Sequence, residues 1–579
     1  MAAASASPAP TTAGGMTSPV LGEPMKILFL GWRYTYFRNF ESVLQELAER
    51  GHQVHLAVEE DEGRPLIEPL VSAYPNITCS VAASRADDDW SWAATRLRFG
   101  LEYLRYQHRM FDDTPKILAR SRERTPGLFV SLGDGIRRWV RWARRPMSAA
   151  VRWLERSVPD DPGIRAYLEA HRPDAVLITP LITLGSAQID YLRAARALGI
   201  PTALCVWSWD HLSSKALIRE APDRVFVWND TQKREAVQLH DVQPASVVVT
   251  GAQCFDKWFD RRPSRERAAF CAQVGLPEAQ PYILYVCSAP FVGSQPEAPF
   301  VVDWVRRLRA QGSSRLAQVP VLIRPHPSRR REWEGLDLSP LGHVVLWGDN
   351  PVDAQSRDDY FDSLYHSAVV VGLNTSAFIE AGIVGRPVYT ILLPEWHESQ
   401  LGTVHFRYLF DAGGGLLTSA TTFDEHLRQL DEALAHPSTE IKPFVREFVR
   451  PRGLDVPATP YFADMVEGMQ GMRVGALQAL GAQRLAHLVI GALIARRQDQ
   501  SWERWLHSER ELESIARFRA FRQEKLARDK ARIRARVEAK AVQVAERRAA
   551  LQRHRQARRD RERAEKEAAA GRPSERGSS

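Results

Sequence analysis

The chain has 579 residues, 44% hydrophobic and 26% charged, a globular composition that excludes a wholly disordered or fibrous protein. At roughly 100–200 residues per domain, that length corresponds to about three or four units. The net charge of +8 is uneven: residues 521–579 hold 19 Lys/Arg against 9 Asp/Glu and residues 96–156 hold 15 against 6, so the rest is acidic and the pattern suits an enzyme held near something anionic rather than a basic DNA-binding domain.

Residues 1–24 are low-complexity Ala, Ser, Pro, Thr and Gly and are expected to be disordered. They show neither the basic n-region nor the apolar h-region of a secretory signal. KILFLG, from Lys26, is a short apolar run closed by Gly31. A helical segment follows with Phe40, Val43, Leu44 and Leu47 on one face, ends at Gly51, and leads into the strand VHLAV (54–58). This βαβ unit implies a parallel sheet. Its first turn carries one glycine and not GxGxxG, which argues against a dinucleotide cofactor. Further buried-type strands are expected at 174–181, 201–207, 223–228 and 245–251. The pattern lapses into a charged stretch, FDKWFDRRPSRER, and restarts at 282–288, 319–325, 343–349, 367–372, 386–393 and 415–420.

The alternation predicts two consecutive α/β domains, 25–260 and 261–465, with a hinge near 255–265 and a basic helical insertion at about 90–158 in the first. In such folds ligands bind outside the carboxyl ends of the strands, and here also between the domains. Residues 466–569 are expected to form a helical basic extension, followed by a disordered tail, 570–579. The longest apolar stretch, near Leu485–Ala495, is about half the ~20 residues a spanning helix needs. From 503 to about 569 there is neither proline nor glycine. Leu526/Ile533 and Val537/Val544/Leu551 repeat by sevens, but Lys530, Lys540 and Arg547 interrupt the seam. A self-associating coiled coil and a solvated single helix both fit. The five cysteines, Cys79, Cys205, Cys254, Cys271 and Cys287, are scattered and never spaced as CxxC, which fits a reducing cytoplasm and no structural zinc site.

Two constellations carry chemistry. In IRPHPS (323–328) two prolines stop a strand and leave Arg324 and His326 at its carboxyl tip, where a guanidinium fork and a second donor suit phosphate. In SAVVVGLNTSAFIEAGIVGRPV (367–388) a strand passes through Asn374, Thr375 and Ser376 into a helix, a turn with hydroxyls and free backbone N–H groups for an anion. Glu380 stands one helical turn above Ser376, placed to accept from vicinal ribose hydroxyls. Plain N-capping would also account for the hydroxyls.

These motifs, with SWDHLSSK (208–215), VFVWND (225–230) and VTGAQCFDKWF (249–259), resemble GT-B-fold glycosyltransferases, and in particular bacterial capsule-sugar transferases and CDP-glycerol glycerophosphotransferases, over roughly residues 25–465. The resemblance implies two Rossmann-like domains facing a cleft, a nucleotide-diphosphate donor on Arg324, His326, Asn374, Thr375, Ser376 and Glu380, and an acceptor in the first domain. It implies no metal, the chain having no DxD motif ahead of the donor motifs, and no cofactor, the nucleotide-sugar being a substrate.

An inverting transfer needs a base near the acceptor hydroxyl. Asp210 and His211 follow a strand and are the candidates. Arg33 and Arg38, in the first loop, and Glu398 and Gln400, after RPVYTILL, are candidates for the sugar or acceptor; His405 and Arg407 are weaker ones. In the insertion, residues 135–158 alternate Trp139, Trp142 and Trp153 with arginines, a pattern suited to an anionic bilayer surface, or to a helix whose Trp residues pack inward. The resulting expectation is a cytoplasmic sugar transferase, peripheral on the inner face of the membrane, acting on an envelope-polysaccharide, lipid-linked or similar acceptor, with no specific nucleic acid. The alternatives are a CDP-alditol phosphotransferase, a nucleotide-sugar 2-epimerase, or a non-catalytic scaffold using the basic helix.

Overall fold

The computed structural model describes residues 23–290, 295–311, 314–474 and 482–570. Two wholly parallel sheets organise it. The first has seven strands in the order β3-β2-β1-β4-β5-β6-β7: β1 Lys26–Gly31, β2 Gln53–Val58, β3 Ile77–Val81, β4 Ala175–Thr179, β5 Thr202–Cys205, β6 Arg224–Val227 and β7 Val247–Val249. The second has six, in the order β10-β9-β8-β11-β12-β13: β8 Ile283–Val286, β9 Val321–Arg324, β10 Val344–Leu346, β11 Val369–Val371, β12 Val388–Ile391 and β13 Leu417–Ala420. Helices cover both faces, so the central strands are apolar throughout; every residue of β4 and β8 is buried. In each sheet the strand order reverses once, between β1 and β4 and between β8 and β11, and these switch points open a crevice at the carboxyl ends. The arrangement is the GT-B-like one the sequence implies. β3 is the strand that apolar runs did not mark: ITCSV is a sheet edge, with its polar residues outward.

The chain does not leave the first domain for good at the hinge. The helix Ala458–Glu467 packs on the helix Glu41–Glu49, and Phe462, Ala463, Val466 and Met469 enter the first domain's core. Buried Asp256 fixes this return, accepting from the backbone N–H groups of Ala458 (3.0 Å) and Thr459 (2.7 Å) and from Arg450 Nη2 (3.0 Å). An amphipathic helix reads alike whichever sheet it covers, so the span 261–465 carries no sign of this crossing.

The insertion is a helical subdomain built on Asp89–Arg105, Pro115–Arg122, Gly127–Trp139 and Arg144–Arg156. Buried ion pairs tie it to the first sheet's helices. Arg98 donates to Glu155 (2.9 Å) and Asp190 (2.6 Å), Arg193 donates to Glu155 and to Glu220 (3.1 Å), and Arg219 reaches Glu102. Burial opposes ionisation of Glu155, yet the guanidiniums of Arg193, Arg98 and Arg219 hold its carboxyl far below the ordinary range.

The segment expected as one extension, 466–569, falls into two parts. The helices Gln483–Ala495 and Glu503–Leu506 pack on the insertion, where Ile490 and Leu506 are buried with Trp92, Leu97, Leu101 and Phe129. Residues 509–570 form a separate unit, one helix of 62 residues along which Phe518, Phe521, Leu526, Val542, Val544 and Leu551 are exposed. Pairs such as Arg558–Glu562 (2.9 Å) run along its surface. No described helix is long and apolar enough to cross a membrane.

Candidate functional site

Between the two sheets lies a cleft of about 750 Å³, walled by both domains and by the insertion. On the second domain's side Asn374, Thr375, Ser376, Glu380 and His326 line it, five of the six expected donor residues. The turn after β11 is held from below: the Asn374 backbone N–H donates to Ser288 Oγ (3.1 Å), and its side-chain amide donates to the Ser399 carbonyl. Thr375 Oγ1 accepts from Ala377 N–H (3.3 Å), whereas Ser376 makes no side-chain cap. The helix that follows, Ala377–Ile383, has seven residues and only a small dipole to offer, so the turn's hydroxyls and N–H groups carry what anion affinity it has.

Glu380 accepts from the Tyr360 hydroxyl. Burial pushes its carboxyl up to about 7, against the Tyr360 hydrogen bond and the charges of Arg38 and Arg324. Arg324 is placed differently from expectation. It is buried and lies outside the cleft lining, beneath Trp347 (5.6 Å) and Tyr360 (5.0 Å), and donates to the Asp349 carbonyl (3.0 Å). Gly348 has φ +103, and a Cβ there would stand 2.2 Å from Arg324 Nη1, so the turn closes over this guanidinium only with glycine. Arg324 therefore acts on Glu380 from behind Tyr360. His326 is exposed to the cleft while its Nδ1 accepts from Ser328 N–H (3.2 Å); burial, then Arg329, lowers its pKa.

Across the cleft Arg38 donates to the Pro351 carbonyl of the second domain (3.3 Å) and has no carboxylate partner among the described contacts. Desolvation and the facing guanidinium of Arg357 both lower its pKa. Two cations of opposite domains thus confront each other in a cavity, with the single carboxylate of Glu41 near both and 3.9 Å from Arg357, so two positive charges face one negative charge there.

At the first domain's wall Asp210 accepts from Ser208 Oγ and Ser214 Oγ (3.0 Å) and pairs with Lys215 (2.8 Å). Burial opposes its ionisation, but Lys215 and His405 hold its carboxyl far below the ordinary range. His405 reaches this spot from the second domain, edge-on to Trp209 (4.7 Å), and its Nδ1 has no hydrogen-bond partner among the described residues. Burial pushes its pKa down to about 4 against the pull of Asp210, so it is a neutral imidazole. His211 is fully buried behind the wall and does not line the cleft, because the short helix His211–Ser214 turns it inward. Of the two histidines, His405 and not His211 lines the cleft together with Asp210.

The other candidates lie apart. Arg33 is engaged by Glu60 (2.6 Å) and Glu62 (2.7 Å), outside the lining. Gln400 is buried and donates to Leu373 O (3.1 Å) and Ile391 O (3.0 Å), a brace for β12. Glu398 pairs with Lys116 of the insertion (2.8 Å). That insertion was not expected at the site, yet Lys116 and Arg120 line the cleft. Tyr360 and the insertion's contribution had no signal in the sequence, since Tyr360 reaches Glu380 from a separate helix 20 residues earlier and Lys116 reaches Glu398 across more than two hundred and fifty residues. Among the described residues no group of three or more His, Cys, Asp or Glu could hold a metal ion.

The chain is similar in structure to the UDP-GlcNAc 2-epimerase of Methanocaldococcus jannaschii (10% identity, TM-score 0.44, 77% of this chain and 100% of that one). It is similar also to a glycosyltransferase from Rickettsia africae (11%, 0.45, 78% and 100%) and to MurG of Acinetobacter baumannii (13%, 0.38, 77% and 100%). No family model and no curated protein matches the chain. The functional reading accordingly rests on the chemistry of the cleft.

Proposed function

We propose that the protein is a glycosyltransferase that moves a sugar from a nucleoside-diphosphate donor to an envelope-polysaccharide, lipid-linked or similar acceptor. One observation carries this reading: a half-buried carboxylate, Glu380, and a facing pair of cations, Arg38 and Arg357, share one interdomain cleft. A nucleotide diphosphate has the complementary parts. Its ribose hydroxyls donate to Glu380, and its diphosphate lies among Arg38, Arg357, His326 and the Thr375–Ser376 turn. Positive charge from the protein stabilises the leaving diphosphate.

On the acceptor side, the imidazole of His405, which lines the cleft, takes the proton of the attacking hydroxyl as the new oxygen–carbon bond forms and the bond to the diphosphate breaks. Asp210, ionised at neutral pH, stabilises the imidazolium that results. A carboxylate held so far below its usual range is a poor base by itself, so His405 accepts and Asp210 supplies the compensating charge. The transfer needs no cofactor, the nucleotide-sugar being a substrate.

The test is a titration with CDP, UDP, GDP and CMP followed by thermal shift, then incubation with the matching nucleotide-sugar with and without membrane extract. Stabilisation by one diphosphate and acceptor-dependent release of it supports the transferase. Inversion at the sugar's C2 without acceptor identifies an epimerase, release of the monophosphate a CDP-alditol transferase, and silence to all four a scaffold.

A further inference from the structure

The helix Gln483–Ala495, QRLAHLVIGALIA, carries Gln483, Arg484 and His487 in its first turns and is apolar from Leu488 onward. One side is used: Ala486 and Ile490 are buried, and Leu493 and Ile494 pack on the same cluster of the insertion. The opposite side carries Leu485, Leu488 and Val489, at i, i+3 and i+4, and these are 55%, 71% and 38% exposed. A helix with apolar residues on both its packed and its outer side belongs against a second apolar phase, and here the outer stripe has no cover. This helix rests on Arg144–Arg156, and the turn entering Arg144–Arg156 holds Trp142, 79% exposed, with Trp139 just before it at 75%. Neither ring packs inward, which removes the alternative of an inward-packed Trp for these two residues.

Charge accompanies the bare apolar groups. Arg137 and Arg141 share Asp112 (3.2 and 2.9 Å), but Arg138, Arg144 and Arg145 have no carboxylate partner among the described contacts. We propose that this subdomain docks on an anionic lipid bilayer. The Trp rings sit at headgroup level, the Leu485–Leu488–Val489 stripe enters the acyl boundary, and the uncompensated guanidiniums meet lipid phosphates. A second copy of the chain suits the face poorly, because a two-fold contact sets the patch against itself and brings the arginines together. A nucleic acid would answer the arginines and the Trp rings but leave the aliphatic stripe in water. The same insertion lines the cleft with Lys116 and Arg120, so a docked subdomain links the bilayer to the site. The proposal does not rest on the donor assignment, since binding is read without nucleotide.

The experiment uses the full chain with vesicles of phosphatidylglycerol and of phosphatidylcholine alone, read by co-sedimentation and by quenching of Trp fluorescence with bromine-labelled lipid. The variants are W139S/W142S and L485Q/L488Q, which leave every charge of the chain, including the basic helix 509–570, in place. The wild type is expected to bind phosphatidylglycerol vesicles with quenching, and each variant to partition about tenfold more weakly with an unchanged melting midpoint. Equal partitioning of wild type and variants would show that the tail's charge suffices and overturn the proposal. So would variants that lose a dimer in light scattering while still binding vesicles, or a wild type that binds RNA and ignores phosphatidylglycerol.

Discussion

The Glu380→Gln substitution should stabilise the empty protein and weaken it as a binder. Burial moves this carboxyl from an ordinary 4.5 to about 7. At about 1.4 kcal/mol per pH unit, ionised Glu380 costs the folded state roughly 3 kcal/mol above pH 7. Between 4.5 and about 7 the folded chain holds a proton on Glu380 that the unfolded chain has shed. Stability from this group therefore falls as pH rises through that window, and the deficit is complete above about pH 7. Glutamine keeps an acceptor for the Tyr360 hydroxyl and removes the charge. A body unfolding as one unit should melt about 3 °C higher at pH 8 as a result, and the gain should vanish as pH falls towards 5.

Nucleotide affinity should move the other way. Losing a charged acceptor of the ribose hydroxyls costs about 1–3 kcal/mol, roughly 5- to 150-fold. Wild-type affinity should also fall by about tenfold per pH unit below 7, where the carboxyl is protonated, and the variant's profile should lack this dependence. Differential scanning calorimetry and calorimetric titration from pH 5 to 8 read both. A variant that melts lower at pH 8, or binds nucleotide as tightly as wild type, would refute the assignment of Glu380 as a strained ligand for the donor.

Asp210→Asn and His405→Asn should each lower turnover by at least about 100-fold while leaving nucleotide binding in the thermal-shift assay unchanged; a parallel loss of binding would place the pair in the donor site instead. Glu155→Gln, which strands Arg98 and Arg193 without their buried counter-charge, should destabilise the body by about 3–5 kcal/mol in urea unfolding, and an effect below 1 kcal/mol would mean the ion cluster is not closed to water. Ending the chain at Ser508 should leave the melting midpoint and nucleotide binding of the body unchanged, whereas ending it at residue 482 removes Ile490 and Leu506 from the insertion's core and should lower the midpoint clearly, at about 2–5 kcal/mol for each large apolar side chain lost.

Much of this protein is local in origin. Runs such as AVLIT and ILYV, apolar on both faces and broken by helical periods, prescribe parallel strands under helices, so the two sheets and most of their strands follow from the sequence alone. The turn after β11 is equally local: Asn374, Thr375, Ser376 and Glu380 are set by one strand-to-helix passage, and their common face follows from 3.6 residues per turn. What adjacency could not supply is every contact made across the fold. His211 neighbours Asp210 in the chain but is rotated into the core, and His405, almost two hundred residues later, is the histidine that lines the cleft with the carboxylate. Arg324 emerges at the expected strand tip yet is covered by Tyr360 and the Gly348 turn. The apolar faces of 458–467 and 483–495 declare that they must be buried but not against what, because hydrophobic burial has no direction. Only the folded chain decides that the first closes the core of β1 and β2, and that the second covers the insertion on one side and leaves the other bare.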